Sequence, residues 1–307
     1  MIASPSPSNP GPGVPLRDVD WVGRWRELVQ AREVQATRLR AQAGLEAPVY
    51  WDRRAEGFRA NVQQREGEAD RLLQLVSERA GAEATVLDVG AGVGRHALPL
   101  ARVCREVVAV EPSAAMRGYL EADAAAQGLA NLTVVPVAWE DAAAPVCDIA
   151  LCSHVVYSIV DIEAFVEKLS RHAARYGFMA IRTAQRDAQL LELWKLVHGE
   201  EKVPEPGFLE LYNVMLQRFR IAANVEITGF RRTSNPLGTF TSLDEAAAVV
   251  REQLYVAEGT PKDATAQDYL STHLIRGDDD RLLLPGPRVG AAIVWWDNRP
   301  DSWNLLK

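Results

Sequence analysis

Residues 84–96 read Ala-Thr-Val-Leu-Asp-Val-Gly-Ala-Gly-Val-Gly-Arg-His, and no other stretch constrains the fold as much. The apolar run Ala84 to Val89 has the length and composition of a buried strand. Three glycines, Gly90, Gly92 and Gly94, follow at once, and a helical pattern runs from His96 to Val103. A strand, a tight turn and a helix start are therefore expected. Glycine lets such a turn bend sharply and approach a ligand with no Cβ in the way. A second apolar strand, Val107 to Val110, ends in Glu111, 21 residues beyond Gly90. A carboxylate at about this spacing suits the hydroxyls of a ribose.

The alternation continues along the chain. Strand 84–89 leads to helix 95–104, and strand 107–110 leads to helix 113–127, with Ser113 as its N-cap. Strand 132–137 precedes an acidic loop holding Glu140 and Asp141. Strand 147–152 leads to helix 161–174, and strand 177–182 follows. Two closing strands are expected at 225–231 and 289–297. Strands alternating with helices of this length build parallel sheets through right-handed crossovers. The expected fold is a doubly wound, mostly parallel seven-stranded α/β sheet with N-terminal helices and a helical cap insert.

Around this core the chain divides into five parts. Residues 1–16 are rich in Ser, Pro, Gly and Asn and read as a disordered tail, with neither the charged nor the apolar region of a secretory signal. Residues 17–81 form a helical segment: a first helix over 18–42, then Tyr50-Trp51 opening the next element, then one long helix from Ala55 to Arg79. Residues 82–187 are the ligand-binding core. Residues 188–224 read as a helical cap, two helices around Glu205-Pro206-Gly207. Residues 225–307 supply the closing strands, with a helical insert opened by the capping box Ser242-x-x-Glu245.

Composition narrows the function. The 307 residues carry a net charge of −7, whereas binding to nucleic acid needs a concentrated basic face. Arg53, Arg54, Arg59 and Arg65 interleave with Asp52, Glu56, Glu66 and Glu68, the pattern of a solvated helix. The three cysteines form no C-x-x-C pair, which fits a reduced, cytoplasmic protein. The five histidines lack any metal-ligand spacing, so no metal is expected. No apolar run approaches the ~18 residues of a membrane span, so no membrane partner is expected. The oligomeric state is not readable.

The glycine spacing discriminates between cofactors. A dinucleotide fingerprint wants G-x-G-x-x-G; here the third glycine comes one residue early and Arg95 stands in its place. A G-x-G-x-G cluster after an apolar strand and an Asp resembles motif I of the class I S-adenosylmethionine-dependent methyltransferases. The resemblance runs through about 82–182 and implies S-adenosylmethionine as cofactor. It implies that Asp88, Gly90, Ala91, Gly92 and Gly94 line the methionine half. Glu111 would bind the ribose, while Pro112 and Met116 wall the adenine. Ala138, Trp139 and Glu140 would form the far side of that pocket. Val137 stands where many relatives carry an Asp, so the partner of the adenine amino group is left open. Ser153 and His154, after the fourth strand, would lie beside the transferring methyl group.

Several roles stay two-sided at this point. His154 is the candidate general base, or a histidine that only packs locally. Tyr157 orients an acceptor, or is core. Tyr50 and Trp51 form a lid over the cofactor, or ordinary helix packing. Arg182 ends the fifth strand and is expected to point into the acceptor cleft. Arg95 meets the cofactor carboxylate or faces solvent. The expected reaction is methyl transfer to a small or medium-sized molecule. Methylation of protein or RNA, and a non-catalytic cofactor-binding scaffold, are the alternatives.

Overall fold

The computed structural model describes residues 19–46, 50–64, 67–229, 237–277, 280–287, 289–300 and 302, with the side chains of 50–54 excepted. The tail over 1–16 and the end of the strand expected at 225–231 lie outside the described residues.

The central sheet has seven strands. In chain order they are β1 (Thr85–Val89), β2 (Glu106–Val110), β3 (Leu132–Val135), β4 (Cys147–Ser153), β5 (Ala173–Arg182), β6 (Asn224–Thr228) and β9 (Ala291–Asp297). They lie in the order β3-β2-β1-β4-β5-β9-β6. All neighbours among the first five are parallel, and β9 runs antiparallel to both β5 and β6. The order reverses between β1 and β4, the switch point at which open α/β sheets bind ligands.

Side-chain alternation along the strands sends successive residues to opposite faces. Leu87, Val89, Val110, Cys152, Ile181 and Val294 bury against α1 (Trp21–Gln42), α6 (Ile162–Arg171) and α8 (Phe208–Phe219). Val86, Ala109, Leu151, Phe178 and Ile293 bury against α3 (Arg71–Ala80), α4 (Ala97–Ala101) and α5 (Ala114–Ala126). Trp25 of α1 is fully buried, and its indole N–H donates to Ile159 O at 2.7 Å. A third cluster joins α7 (Leu191–His198), α9 (Leu243–Leu254), α10 (Pro261–His273) and the small hairpin β7 (Ile275–Arg276) and β8 (Leu282–Leu283).

Three sequence expectations change. The single helix over 55–79 is two: α2 (Tyr50–Gln64) and α3. The break comes where Asp70 turns into an N-cap, its Oδ1 accepting from Leu73 N at 3.1 Å. The helix expected over 95–104 shortens to α4, since the turn carrying Gly94 extends to His96. The insert over 188–224 is not one cap. Leu193, Trp194 and Val197 of α7 face the third cluster, whereas Leu211, Val214 and Met215 of α8 pack on the sheet beside α6. The two apolar stripes need different partners, so the helices separate, and the end of the linker with the first turn of α8 reaches the mouth of the sheet.

That linker is held by α1. Gln35 donates to Glu201 O and accepts from Val203 N, both at 2.9 Å. Arg32 reaches Glu205 at 2.9 Å.

Gly177 of β5 lies beneath the fully buried Trp296 of β9, and a Cβ there would stand 2.2 Å from the indole. Gly177→Ala is expected to destabilise the fold by about 1–3 kcal/mol, the usual cost of overpacking a filled core. A urea titration checks this; an unchanged midpoint would mean that the Trp296 ring moves aside freely.

Candidate functional site

Sheet register places the site. Val89, the last residue of β1, pairs with Val110 on one side and Cys152 on the other. The segments that follow, Gly90 onward, Glu111 onward and Ser153 onward, therefore leave the sheet side by side at its carboxyl edge. Ser153 in turn pairs with Ala180, two residues before Arg182.

The glycine turn bends as the sequence requires. Gly90, Gly92 and Gly94 have φ of 74°, 57° and 91°. The amides of Gly90 and Ala91 both donate to Val110 O, at 2.8 and 3.1 Å. A Cβ on Gly90 would stand 2.3 Å from Val155, so the β1 and β4 loops touch there. Gly94 is equally crowded by Leu98 and Leu120, but Gly92 has open space around its Cβ position.

Glu111 closes the turn. One carboxylate oxygen accepts from Gly92 N at 2.8 Å and the other from Ser113 N at 2.9 Å. The side chain is thereby fixed across the mouth between β1 and β2. A carboxylate has about four acceptor positions, so two amide bonds do not saturate it.

Asp88 points to the α4 face and is 1% exposed. Burial pushes its carboxyl up to about 6, with Glu111 reinforcing and His96 opposing the shift. Its Oδ2 is buried with no hydrogen-bond partner. A buried acceptor left unmet costs about 1–3 kcal/mol, and a cationic group beside Oδ2 would both satisfy it and favour the charged form. Behind the turn, Arg95 and His96 converge on Asp70, at 2.7 and 3.3 Å. Burial alone would raise Asp70, but His96 and Arg95 hold it well below the usual carboxylate range. Arg95 is thus tied to a protein carboxylate.

The remaining residues divide. Met116 is buried in a small cluster with Ala55 of α2 and Val93 of the turn. Arg59 of α2 reaches Asp123 on α5 with two hydrogen bonds, so α2 is seated over this end. Tyr50 and Trp51 open α2, and their side chains lie outside the described residues. Pro112 is exposed, and its carbonyl accepts from Arg117 at 2.6 Å. Ala138 caps a 3-10 turn over Trp139–Asp141, and Glu140 is exposed.

Trp139 departs from expectation. Its ring is 4% exposed and meets Phe165 and His172 edge-on, with the Lys168 ammonium 4.5 Å above it. The indole is core beneath α6 and offers no open wall to adenine. Only its backbone remains at the loop, where Lys168 donates to the carbonyls of Trp139, Glu140 and Ala142.

At the other end of the mouth, His154, Tyr157 and Arg182 come together. The Tyr157 hydroxyl lies 2.8 Å from His154 Nδ1 and accepts from Arg182 N at 2.9 Å. The Arg182 guanidinium stacks 4.0 Å from the centre of the Tyr157 ring. Glu205, which sequence reasoning passed over, accepts from both Arg182 (3.0 Å) and Arg32 (2.9 Å), with its side chain 7% exposed. Its only signal in sequence was the Glu-Pro-Gly break between two helices. Burial, Arg182, Arg95 and His96 together push His154 down to about 3. A general base at neutral pH works best with a pKa near the operating pH, so this environment does not favour the base role expected for His154. On the far side of Arg182 from β5 the chain forms a recess of 220 Å³, lined by Arg182, Thr183, Gln185, Glu205, Phe208 and Glu210. No cluster of His, Cys, Asp and Glu suited to a metal occurs among the described residues.

A Rossmann-like sheet of this strand order, with a glycine turn and an acid at the end of the second strand, is the architecture of class I methyltransferases. The family model described as "Methyltransferase domain" matches residues 62–216, and the chain belongs to that family. It is an S-adenosylmethionine-dependent methyltransferase, and the orphaned Asp88 oxygen and open Gly92 turn fit that cofactor. A Haemophilus influenzae protein described as uncharacterized is 28% identical over 255 residues, 81% of this chain and 89% of its own. Among solved structures, YcgJ of Bacillus subtilis is 18% identical, covers 73% of this chain and 96% of its own, and gives a TM-score of 0.48. Coclaurine N-methyltransferase, solved with N-methylheliamine and SAH, is 15% identical, covers 90% and 98%, and gives 0.46.

A pH test follows from His154. Its folded pKa of about 3 lies below the ordinary 6.5, so between those values the unfolded chain binds the extra proton. Stability therefore falls as pH drops through that window. Asp88, raised from 3.8 to about 6, contributes with the opposite sign, so wild type and variant must be compared. His154→Asn suits the backbone, because φ is 59° and Asn tolerates that region. The expected outcome is that the stability difference between wild type and variant changes with pH only below about 6.5, read by urea unfolding. A difference independent of pH would show that His154 is protonated normally.

Proposed function

We propose that the protein transfers a methyl group from S-adenosylmethionine to a small or medium-sized molecule with an apolar part, bound at the carboxyl ends of β4 and β5. The observation that carries this is the recess beside Arg182, which pairs an apolar wall, Phe208, with charged groups and is sized for a compact group. Residues 82–187 serve as the cofactor-binding core. The end of the linker between α7 and α8 and the first turn of α8, rather than a continuous cap over 188–224, contact the acceptor.

When bound, S-adenosylmethionine supplies an electrophilic methyl group on a positively charged sulfur. Asp88 meets the ammonium of the methionine half, and the turn from Gly90 to Gly94, Ala91 included, presents backbone to it. Glu111, already aimed across the mouth, takes the ribose hydroxyls. Met116, Pro112, Ala138 and the backbone of Trp139 and Glu140 border the adenine. Tyr50 and Trp51 belong to the helix seated over this end and act as its lid. Ser153, His154, Tyr157 and Arg182 face the acceptor. Positioning and exclusion of water supply much of the rate in such a displacement.

The net charge of −7 supports a partner other than nucleic acid. Among the described residues no helix is long and apolar enough to cross a membrane. Cys104, Cys147 and Cys152 are free and buried, which supports a reduced, cytoplasmic setting.

Glu111→Ala is expected to weaken cofactor binding by about 1.5–3 kcal/mol, the range for hydrogen bonds to a charged group. Calorimetry with the demethylated cofactor measures it, and an unchanged dissociation constant removes Glu111 from the site. Incubation with methyl-labelled cofactor and pooled small molecules, protein or RNA tests the acceptor class. Label is expected in the small-molecule fraction; label confined to protein or RNA overturns the reading.

A further inference from the structure

The hydrogen bonds around Tyr157 leave its proton one place to go. A phenol has one proton to give and two lone pairs to receive. The Tyr157 oxygen has two partners. One is Arg182 N, a backbone amide that can only donate. The other is His154 Nδ1, at 2.8 Å. No other acceptor for the phenol proton exists among the described residues, and a buried hydroxyl that keeps its proton unbonded is costly. The proton therefore points at Nδ1. That nitrogen holds a lone pair, and in a neutral imidazole the hydrogen must then sit on Nε2.

The ring cannot swing away from this arrangement. His154 occupies the left-handed region at φ 59°, with its amide bonded to Ala180 O at 2.8 Å. Its ring lies nearly parallel to that of Tyr157, at 13°. Tyr157 is itself clamped by the Arg182 guanidinium and by the 3-10 turn over Val156–Ser158. A non-glycine residue at positive φ is uncommon and recurs at functional sites. Nε2 has no hydrogen-bond partner among the described residues, and His154 is half-buried rather than enclosed.

We propose that Tyr157 is a positioning residue that locks His154 as the Nε2–H tautomer, so that His154 donates a hydrogen bond to the methyl acceptor and takes no proton from it. This rests on the methyl-transfer reading above and narrows its substrate class. The acceptor presents an atom that receives a hydrogen bond and arrives with its nucleophilic pair already free. A carboxylate or other oxyanion meets both conditions; the recess around Arg182 also holds the carboxylates of Glu205 and Glu210, so the charge preference comes from the His154 donor rather than from the recess. The step balances without proton transfer: a lone pair of the oxyanion forms the new oxygen–carbon bond, the carbon–sulfur bond breaks, and its pair stays on sulfur. One negative and one positive charge are consumed together.

Nitrogen-15 NMR of the histidine ring decides the tautomer without reference to turnover. The His154 signals, assigned by their loss in His154→Asn, are expected to show Nε2–H with bare Nδ1 and no titration between about pH 5 and 8. In Tyr157→Phe the lock is gone, and an Nδ1–H population is expected to appear. Benzoate is expected to shift the Nε2–H resonance downfield, and benzylamine is not. An Nδ1–H tautomer in the wild type overturns the proposal, as does an imidazole titrating near 6.5. So does an activity profile whose acid limb disappears with His154→Asn, since a base role carries such a limb and about 10²–10⁴-fold in rate. No shift with benzoate at any concentration short of unfolding overturns the oxyanion assignment. Failure of the protein to bind S-adenosylmethionine would instead strike the methyl-transfer reading and leave the tautomer result standing.

Discussion

Everything at the site depends on three parallel strands ending in one row. Because Val89 faces both Val110 and Cys152, the chain leaves β1, β2 and β4 at the same level. A one-residue slip in either pairing would carry every side chain to the other face of the sheet. Asp88 would then lie against α6, and Val155 would no longer close on Gly90. The contact between Val155 and Gly90 is so tight that it admits no side chain at residue 90. Register and glycine thus support each other: the turn needs the missing Cβ, and the missing Cβ lets two loops meet.

Charge is handled differently at the two ends of the mouth. On the β1–β2 side, Glu111 accepts from two backbone amides, and one buried oxygen of Asp88 has no hydrogen-bond partner. This end is built to receive positive charge. On the β4–β5 side, two arginines share the single carboxylate of Glu205, while His154 is held neutral. Glu210 lines the same recess, so that end carries both signs of charge. A cationic sulfonium cofactor fits the first of these ends.

Much of this was legible in the sequence because it rests on local rules. The glycine triplet, the acid ending the second strand and the strand–helix alternation follow from backbone sterics and periodicity, and they led to the correct sheet. The faces taken by α7 and α8 were not legible. Both helices carry apolar stripes, and a stripe says that a partner exists, not which one. Trp139 misled for a related reason: its position after β3 placed its backbone correctly, but the direction of the ring depends on Phe165 and His172, 26 and 33 residues away. Glu205 stayed hidden because its value comes from Arg32 and Arg182, and no local pattern marks a carboxylate shared between distant cations. The split at Asp70 was readable in principle, since Asp is a strong N-cap and Gly67 precedes it.

The Arg32–Glu205 contact joins residues 173 positions apart. Closing a long loop costs little more entropy than closing a medium one, so the link is affordable once both partners exist. Its timing is another matter. During synthesis the first helix emerges early and must wait for the linker that it will grip. The rim beside β5 is therefore assembled from the start and the middle of the polypeptide, and it comes into being only after most of the sheet has been made. The glycine turn is closed by Val110, Glu111 and Val155, all nearer to it along the chain, so the two ends of the mouth differ in how much of the polypeptide each one needs.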